Sequence, residues 1–383
     1  MGKYTVLFLL ITTSSFVHHK EIGIEHNSFT NAEALHGFYT KLVALQNNTK
    51  GTVSIVHIGD SHIQAGFFTG VVRKNLQGKF GNAGRGFVFP YKIANTHGAL
   101  DIRFRYTGAW QSCNIMKNAA SCNIGAAGFT VTASPNASFT LDATSKTDGT
   151  AHFNKVTLLD NYGSFLPINA RGNFSSQKLN RHTVIYFDEC QDSLLFKPAY
   201  EQRGMPELQG LILGNGQNGI LYHAMGINGS STVQYLKSLG FENQIRDINA
   251  DLVILSFGTN DTYMPTSSFC ATCVKERYAA IIDRIRAANP DLPILLTTPA
   301  DHYYLRKYSN KNLKSLIDAM YELCCEKNIA LWDLNAVMGG PNSIVTWRNQ
   351  GWARGDLIHF TEAGYQKQGD MLYDAIMHHY QSQ

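Results

Sequence analysis

Five short apolar runs, each leading into a stretch with helical periodicity, constrain this chain more than any other feature. "TVSIVHIG" precedes "AGFFTGVVRKNLQGKF", and "GILYHAMG" precedes "STVQYLKSLGFENQIRDI". "DLVILSFG" leads to "CVKERYAAIIDRIRAANP", and "LPILLTTP" to "NKNLKSLIDAMYELCCEKN". "IALWDL" is followed, after a loop, by "TEAGYQKQGDMLYDAIMHHY". The runs lack polar–apolar alternation, as parallel strands covered on both faces do. Five strand–helix units in series predict a doubly wound, parallel, five-stranded α/β sheet. An additional helix is expected over 31–47, ahead of the first strand.

A second texture separates the first unit from the rest. Between residues 98 and 215 lie "LDIRFRYTG", "AGFTVTAS", "ASFTLDAT", "NKVTLLDNYG", "HTVIYFDEC" and "SLLFKPAY". These segments are short, often alternating, and divided by Gly, Asn, Asp, Pro and Ser. That pattern predicts an all-β sandwich. The expected organisation is therefore an α/β domain over 21–97 and 216–383, interrupted by a β-sandwich at 98–215.

Composition excludes several function classes. Hydrophobic residues make up 44% and charged residues 16%, the balance of a folded globular chain rather than a disordered one. A formal charge of +4 without a long basic run argues against nucleic acid as partner. The N-terminal "MGKYTVLFLLITTSSFVHHK" places one lysine before a short apolar core and small polar residues. That layout predicts a secretory signal peptide over 1–20 and an exported, periplasmic or extracellular protein; a buried first strand is the alternative. No later run is long and apolar enough to suggest integral membrane association. Seven cysteines include Cys113 with Cys122 and the C-x-x-C of Cys270 and Cys273. In an exported chain both pairs are candidate disulfides. No second close pair completes a zinc site.

In an open α/β sheet ligands bind beyond the carboxyl ends of the strands. The first strand ends in Gly59-Asp60-Ser61-His62, the second in Gly226-Ile227-Asn228-Gly229 and the third in Gly258-Thr259-Asn260-Asp261. After the fifth comes Asp356-Leu357-Ile358-His359, just before the last helix. A hydroxyl, a base, a carboxylate and amide donors thus meet at one edge. These blocks resemble those of the SGNH or GDSL hydrolases, whose sheet is flavodoxin-like. Across about two thirds of the chain, Gly59-Asp60-Ser61, Gly226, Gly258-x-Asn260-Asp261 and Asp356-x-x-His359 stand in the family's order.

The resemblance implies a serine esterase without metal or cofactor. Ser61 would be the nucleophile, His359 its base and Asp356 the residue that orients the imidazole. The Ser61 and Gly226 amides and the Asn260 side chain would form the oxyanion hole. His62, Asp60 and Trp352 are candidate substrate contacts, whereas His57, inside the strand, reads as a core histidine. "HIGDSHIQAG", "GNAGRGF" and "MGINGSS" are similar to segments of bacterial peptidoglycan O-acetylesterases, which carry an inserted β-sandwich resembling a carbohydrate-binding module. The implied substrate is an acetylated glycan, with the 6-O-acetyl of N-acetylmuramic acid as the implied ester. An acetylesterase on another carbohydrate such as xylan, a wall O-acetyltransferase and a non-enzymatic glycan-binding protein are the alternatives.

Overall fold

The computed structural model describes residues 27–49, 51–117, 122–144, 152–160, 163–199 and 205–382. The signal peptide expected over 1–20 lies outside them.

All five expected parallel strands form. In space they run Ala330–Trp332, Ile294–Thr297, Leu252–Ser256, Thr52–Gly59, Gly219–Gly226, so the chain starts near the middle and winds both ways. The sheet has six strands rather than five. Phe29–Thr30 pairs antiparallel with Ala330–Trp332 at the far edge, placing Phe29 opposite Trp332. Two residues are too few to carry a periodicity, and their pairing is set by the partner strand.

Alternate residues of the parallel strands enter different cores. Val53, Ile55, Leu252 and Ile254 pack with Phe68, Val72 and Leu76 of helix Phe67–Phe80 and with Leu372 and Ile376 of helix Glu362–Tyr380. Val56, Ile58, Val253 and Leu255 face the opposite side, with Tyr278, Ile281 and Ile282 of helix Ala271–Ala288. Burial on both faces explains why the sequence shows no alternation of polarity. The helical stretch after the second strand is broken: Thr232–Tyr235 and Phe241–Asp247 are separate short helices, with Gly240 capping the second.

The intervening region forms two antiparallel sheets. One contains Phe174–Lys178, Thr183–Gln191, Phe153–Asp160, Glu207–Gly214, Phe129–Ala133 and Trp110–Asn114, joined by Gly86–Val88 on Glu207–Gly214. Sheet pairing therefore reaches back to residue 86, ahead of the expected boundary at 98. The other contains Ile102–Thr107, Ser138–Ala143, Ser193–Pro198 and Phe165–Pro167. Trp110 of the first sheet stacks on Phe165 of the second, with ring centroids 6.1 Å apart, and Phe139 stacks on Phe196 at 5.0 Å. Both expected disulfides, Cys113–Cys122 and Cys270–Cys273, are present.

The β-rich region does not keep its core to itself. One apolar cluster runs from Phe139 and Phe196 through Ile124 and Phe129 to Ile227, Tyr235 and Ile245 of the α/β layer. Polar contacts fasten the same joint. Gln244 Oε1 accepts the Ala126 amide at 2.7 Å, and Arg181 forms a bidentate pair with Asp247 at 2.7 and 2.6 Å.

Candidate active site

Ser61 opens a one-turn helix, Ser61–Gln64, directly after the first parallel strand. The helix cap is Asp60, whose carboxylate accepts the His62 amide at 2.9 Å, so the serine hydroxyl is left free for other work. Ser61 Oγ lies 3.1 Å from His359 Nε2, and His359 Nδ1 lies 2.9 Å from Asp356 Oδ2. The structure thus brings together three residues up to 298 positions apart in sequence.

The Asp356–His359 turn is built tightly. Asp356 Oδ1 accepts the backbone amides of Ile358 and His359, each at 3.0 Å. Leu357 between them has φ 57°, a left-handed conformation that is costly for a branched side chain. Its burial and the Tyr303 amide, which donates to the Leu357 carbonyl at 2.9 Å, hold it there. Partial burial pushes the Asp356 carboxyl up, but the His359 amide and imidazole and the Ile358 amide outweigh that and keep it below its ordinary value. An ionised Asp356 facing Nδ1 favours the tautomer that leaves Nε2 free to accept the serine proton.

Asn260 lines the same cleft, a space of about 490 Å³ that also contains Ser61, His359, Asn228 and Gly229. Its Nδ2 donates to the Ser230 carbonyl at 2.8 Å. The neighbouring Asp261 is buried and accepts the Thr232 hydroxyl at 2.5 Å, tying the loop after the third strand to the loop after the second.

Gly226 does not join this cleft. The Ile227 amide donates to the Gly59 carbonyl, so the Gly226 peptide groups face the other way, where its carbonyl accepts from the Tyr91 hydroxyl at 3.3 Å. The need for glycine at 226 is steric: an added Cβ would stand 2.3 Å from the Gln64 backbone nitrogen. The cleft glycine of this block is Gly229, with φ 77° and no atom closer than 3.7 Å to an added Cβ. "NG" is a turn signal, and it marked the position that leaves the strand and points at the site.

The three expected substrate contacts also lie behind the cleft. Burial pushes Asp60 up to about 7, against the lowering effect of the His62 amide, and nearby Asp261 adds to the rise. His62 is half-buried: its Nδ1 is 2.9 Å from the Tyr365 hydroxyl, and its ring leans on His359 with centroids 5.3 Å apart. Burial, with His359 and His302 nearby, pushes its pKa down to about 3, so the imidazole is neutral. Trp352 packs edge-on against Trp347 at 5.3 Å, with Lys367 Nζ 4.6 Å from its ring centroid. Packing of the 347–365 segment, invisible in a linear motif, withdraws His62 and Trp352. His57 is a satisfied core residue, 2.7 Å from the Tyr222 hydroxyl and 2.6 Å from Ser256 Oγ.

Among the described residues no cluster of three or more His, Cys, Asp or Glu is arranged to hold a metal ion. None of their helices is long and apolar enough to cross a membrane.

Residues 197–367 match the model of the GDSL-like lipase/acylhydrolase family. That stretch holds Gly229, Asn260, Asp356 and His359, whereas Ser61 lies ahead of it, across the β-rich region. Among solved structures, one described as a peptidoglycan O-acetylesterase in action is 24% identical, with a TM-score of 0.75 over 93% of this chain and 99% of the other. Its near-complete coverage means that the β-rich region is part of the shared fold. A lipase/acylhydrolase from Enterococcus faecalis is 20% identical over 42% of this chain and 76% of its own, with a TM-score of 0.34. A GDSL-like lipase from Bacteroides thetaiotaomicron is 16% identical over 42% and 76%, with a TM-score of 0.31. No curated protein matches. The chain has the SGNH-hydrolase fold with an additional β-rich region, carries a GDSL-like lipase/acylhydrolase domain, and is a carboxylic ester hydrolase.

Proposed function

We propose that the protein is an exported serine esterase that removes O-acetyl groups from a cell-wall glycan, with the 6-O-acetyl of N-acetylmuramic acid as its ester. The observation that carries this reading is the hydrogen-bonded series from Ser61 through His359 to Asp356 at the mouth of an open cleft. Likeness to a peptidoglycan O-acetylesterase over nearly the whole chain supports the choice of substrate, and the N-terminal sequence supports export.

Ser61 Oγ attacks the acetyl carbonyl while His359 Nε2 takes its proton. The oxyanion is met by the Ser61 amide, the Gly229 amide and Asn260 Nδ2. His359 then gives the proton to the departing sugar hydroxyl, leaving acetyl-serine. Water, deprotonated by the same imidazole, attacks this ester and releases acetate. Asp356 stays ionised throughout and stabilises the imidazolium. The α/β layer supplies the chemistry, and the β-rich region holds polymer.

Acetate release from O-acetylated peptidoglycan, measured beside release from acetylated xylan, tests the substrate. Preference for peptidoglycan is expected; preference for xylan transfers the reading to another carbohydrate. Unchanged turnover of a chromogenic acetyl ester by Ser61→Ala sinks the serine mechanism.

A further inference from the structure

A second cavity, of about 630 Å³, lies beside the catalytic cleft. One short segment is the ridge between them. Ala65 and Phe67 line the catalytic side, and Gln64 and Gly66 line the other. The ridge is braced on both flanks, because Gln64 Nε2 donates to Thr96 Oγ1 at 2.9 Å and Gln64 Oε1 accepts the Asn228 amide at 2.6 Å. The cavity is therefore rigidly joined to the site.

Its opposite wall belongs to the β-rich region. Strand Ile102–Thr107 is the edge of its sheet, and Arg103 and Arg105, two residues apart, project from one side of it. Arg85 and Lys92 complete four cations around the cavity, whose lining includes no carboxylate among the described residues. Two of the four are neutralised from outside. Arg105 forms a bidentate pair with Asp142 at 2.9 and 3.1 Å, and Arg85 pairs with Asp101. Asp101 is also bonded by Arg73 at 3.0 Å, so two guanidinium groups share one carboxylate beneath the cavity. Lys92 and Arg103 are exposed; Arg103 stands opposite Asp142 in the strand pairing, a carboxylate already held by Arg105, and neither cation has a carboxylate within ion-pair distance among the described residues. Tyr91, half-buried, adds ring surface.

Positive charge on low-dielectric walls concentrates anions, and guanidinium is well suited to carboxylate. Ring surface suits the C–H face of a sugar. We propose that this cavity is a subsite for a carboxylate-bearing unit of the same glycan polymer, held across the 64–67 ridge while a neighbouring acetyl group meets Ser61. The inference rests on the reading of the protein as a glycan deacetylase. It adds that the anionic group of the polymer, and not only its ester, selects the substrate.

The test separates binding from turnover. In the full-length Ser61→Ala protein, co-sedimentation with insoluble de-O-acetylated peptidoglycan is compared with and without Lys92→Gln and Arg103→Gln. About tenfold weaker binding is expected from the double variant. Binding by the parent should fall with added salt, and neutral cellulose should be bound equally by both. Unchanged sedimentation of the double variant overturns the subsite. In the active enzyme the same pair should raise KM for O-acetylated peptidoglycan about tenfold while leaving kcat/KM for 4-nitrophenyl acetate unchanged. Equal loss on both substrates also overturns it, since the pair would then act through the fold. Failure of the parent enzyme to release acetate would count against the deacetylase reading, whereas the sedimentation result needs no turnover.

Discussion

The two halves of the molecule distribute their polar residues in different ways. In the α/β layer, strand Leu252–Ser256 is buried along almost its whole length, and the groups that matter stand just beyond the strand ends. In the β-rich region, strand Phe174–Lys178 is exposed throughout, and charges such as Arg105 and Asp142 sit on sheet faces. The direction of the strands accounts for the contrast. Parallel strands bring all their carboxyl ends to one edge, so a polar residue after each of several strands joins a single cleft. Antiparallel strands send alternate ends to opposite edges, so they build walls and grooves rather than a converging site. Reaction and polymer recognition can thus be divided between two architectures that share one core.

The largest expected effect is a test of the parallel half alone. Ser61→Ala should lower kcat on a chromogenic acetyl ester by at least about 10⁴-fold, with thermal unfolding little changed. Retained activity would mean that the strand-end cleft is not where the ester is cleaved.

Gly226→Ala probes the seat of the nucleophile. A methyl group 2.3 Å from the Gln64 backbone nitrogen has no flexible neighbour to displace. A loss of about 1–3 kcal/mol and reduced turnover are expected from denaturant unfolding and ester assays. Gly70→Ala, in open space on helix Phe67–Phe80, is the control and should be neutral or stabilising.

Gln244→Ala cuts the joint between the halves by removing the acceptor of the buried Ala126 amide. About 1–3 kcal/mol of stability should be lost, with turnover of a small ester within about twofold of the parent. Collapse of small-ester turnover would show that the β-rich region shapes the catalytic cleft itself.

The smallest effect concerns His62. Its pKa, pushed down to about 3 by burial, lies below the value of about 6.5 in an unfolded chain. The stability it contributes is complete above pH about 6.5 and is lost as pH falls towards 3. Between pH 7 and 5 the stability difference between the parent and His62→Gln should shrink by on the order of 1 kcal/mol, read from urea unfolding at each pH.

Much of this was legible without coordinates. The five parallel strands and the meeting of Ser61, Asn260, Asp356 and His359 follow from apolar runs and from residues placed after them, the β-rich interruption from short alternating segments, and both disulfides from cysteine spacing. The exceptions share a cause. Gly226 ends its strand and Gly229 lies three residues on in the loop, and the direction of the peptide groups at the strand end distinguishes them. Asp60 and His62 adjoin Ser61 in sequence, yet neighbours distant in the chain, Asn260 and Tyr365, hold them, whereas Trp352 is withdrawn by packing within its own segment.

What the amino-acid order determined by itself was local: which segments extend, which coil, and which chemical groups follow each strand. Those properties depend on side-chain pattern and turn residues within a few positions. The tertiary structure alone decided which of those groups face the cleft, how Phe29–Thr30 and Gly86–Val88 extend the two sheets, and where unpaired cations collect beside the site. Such outcomes depend on packing and peptide orientation between segments far apart in the chain, and no local pattern records them.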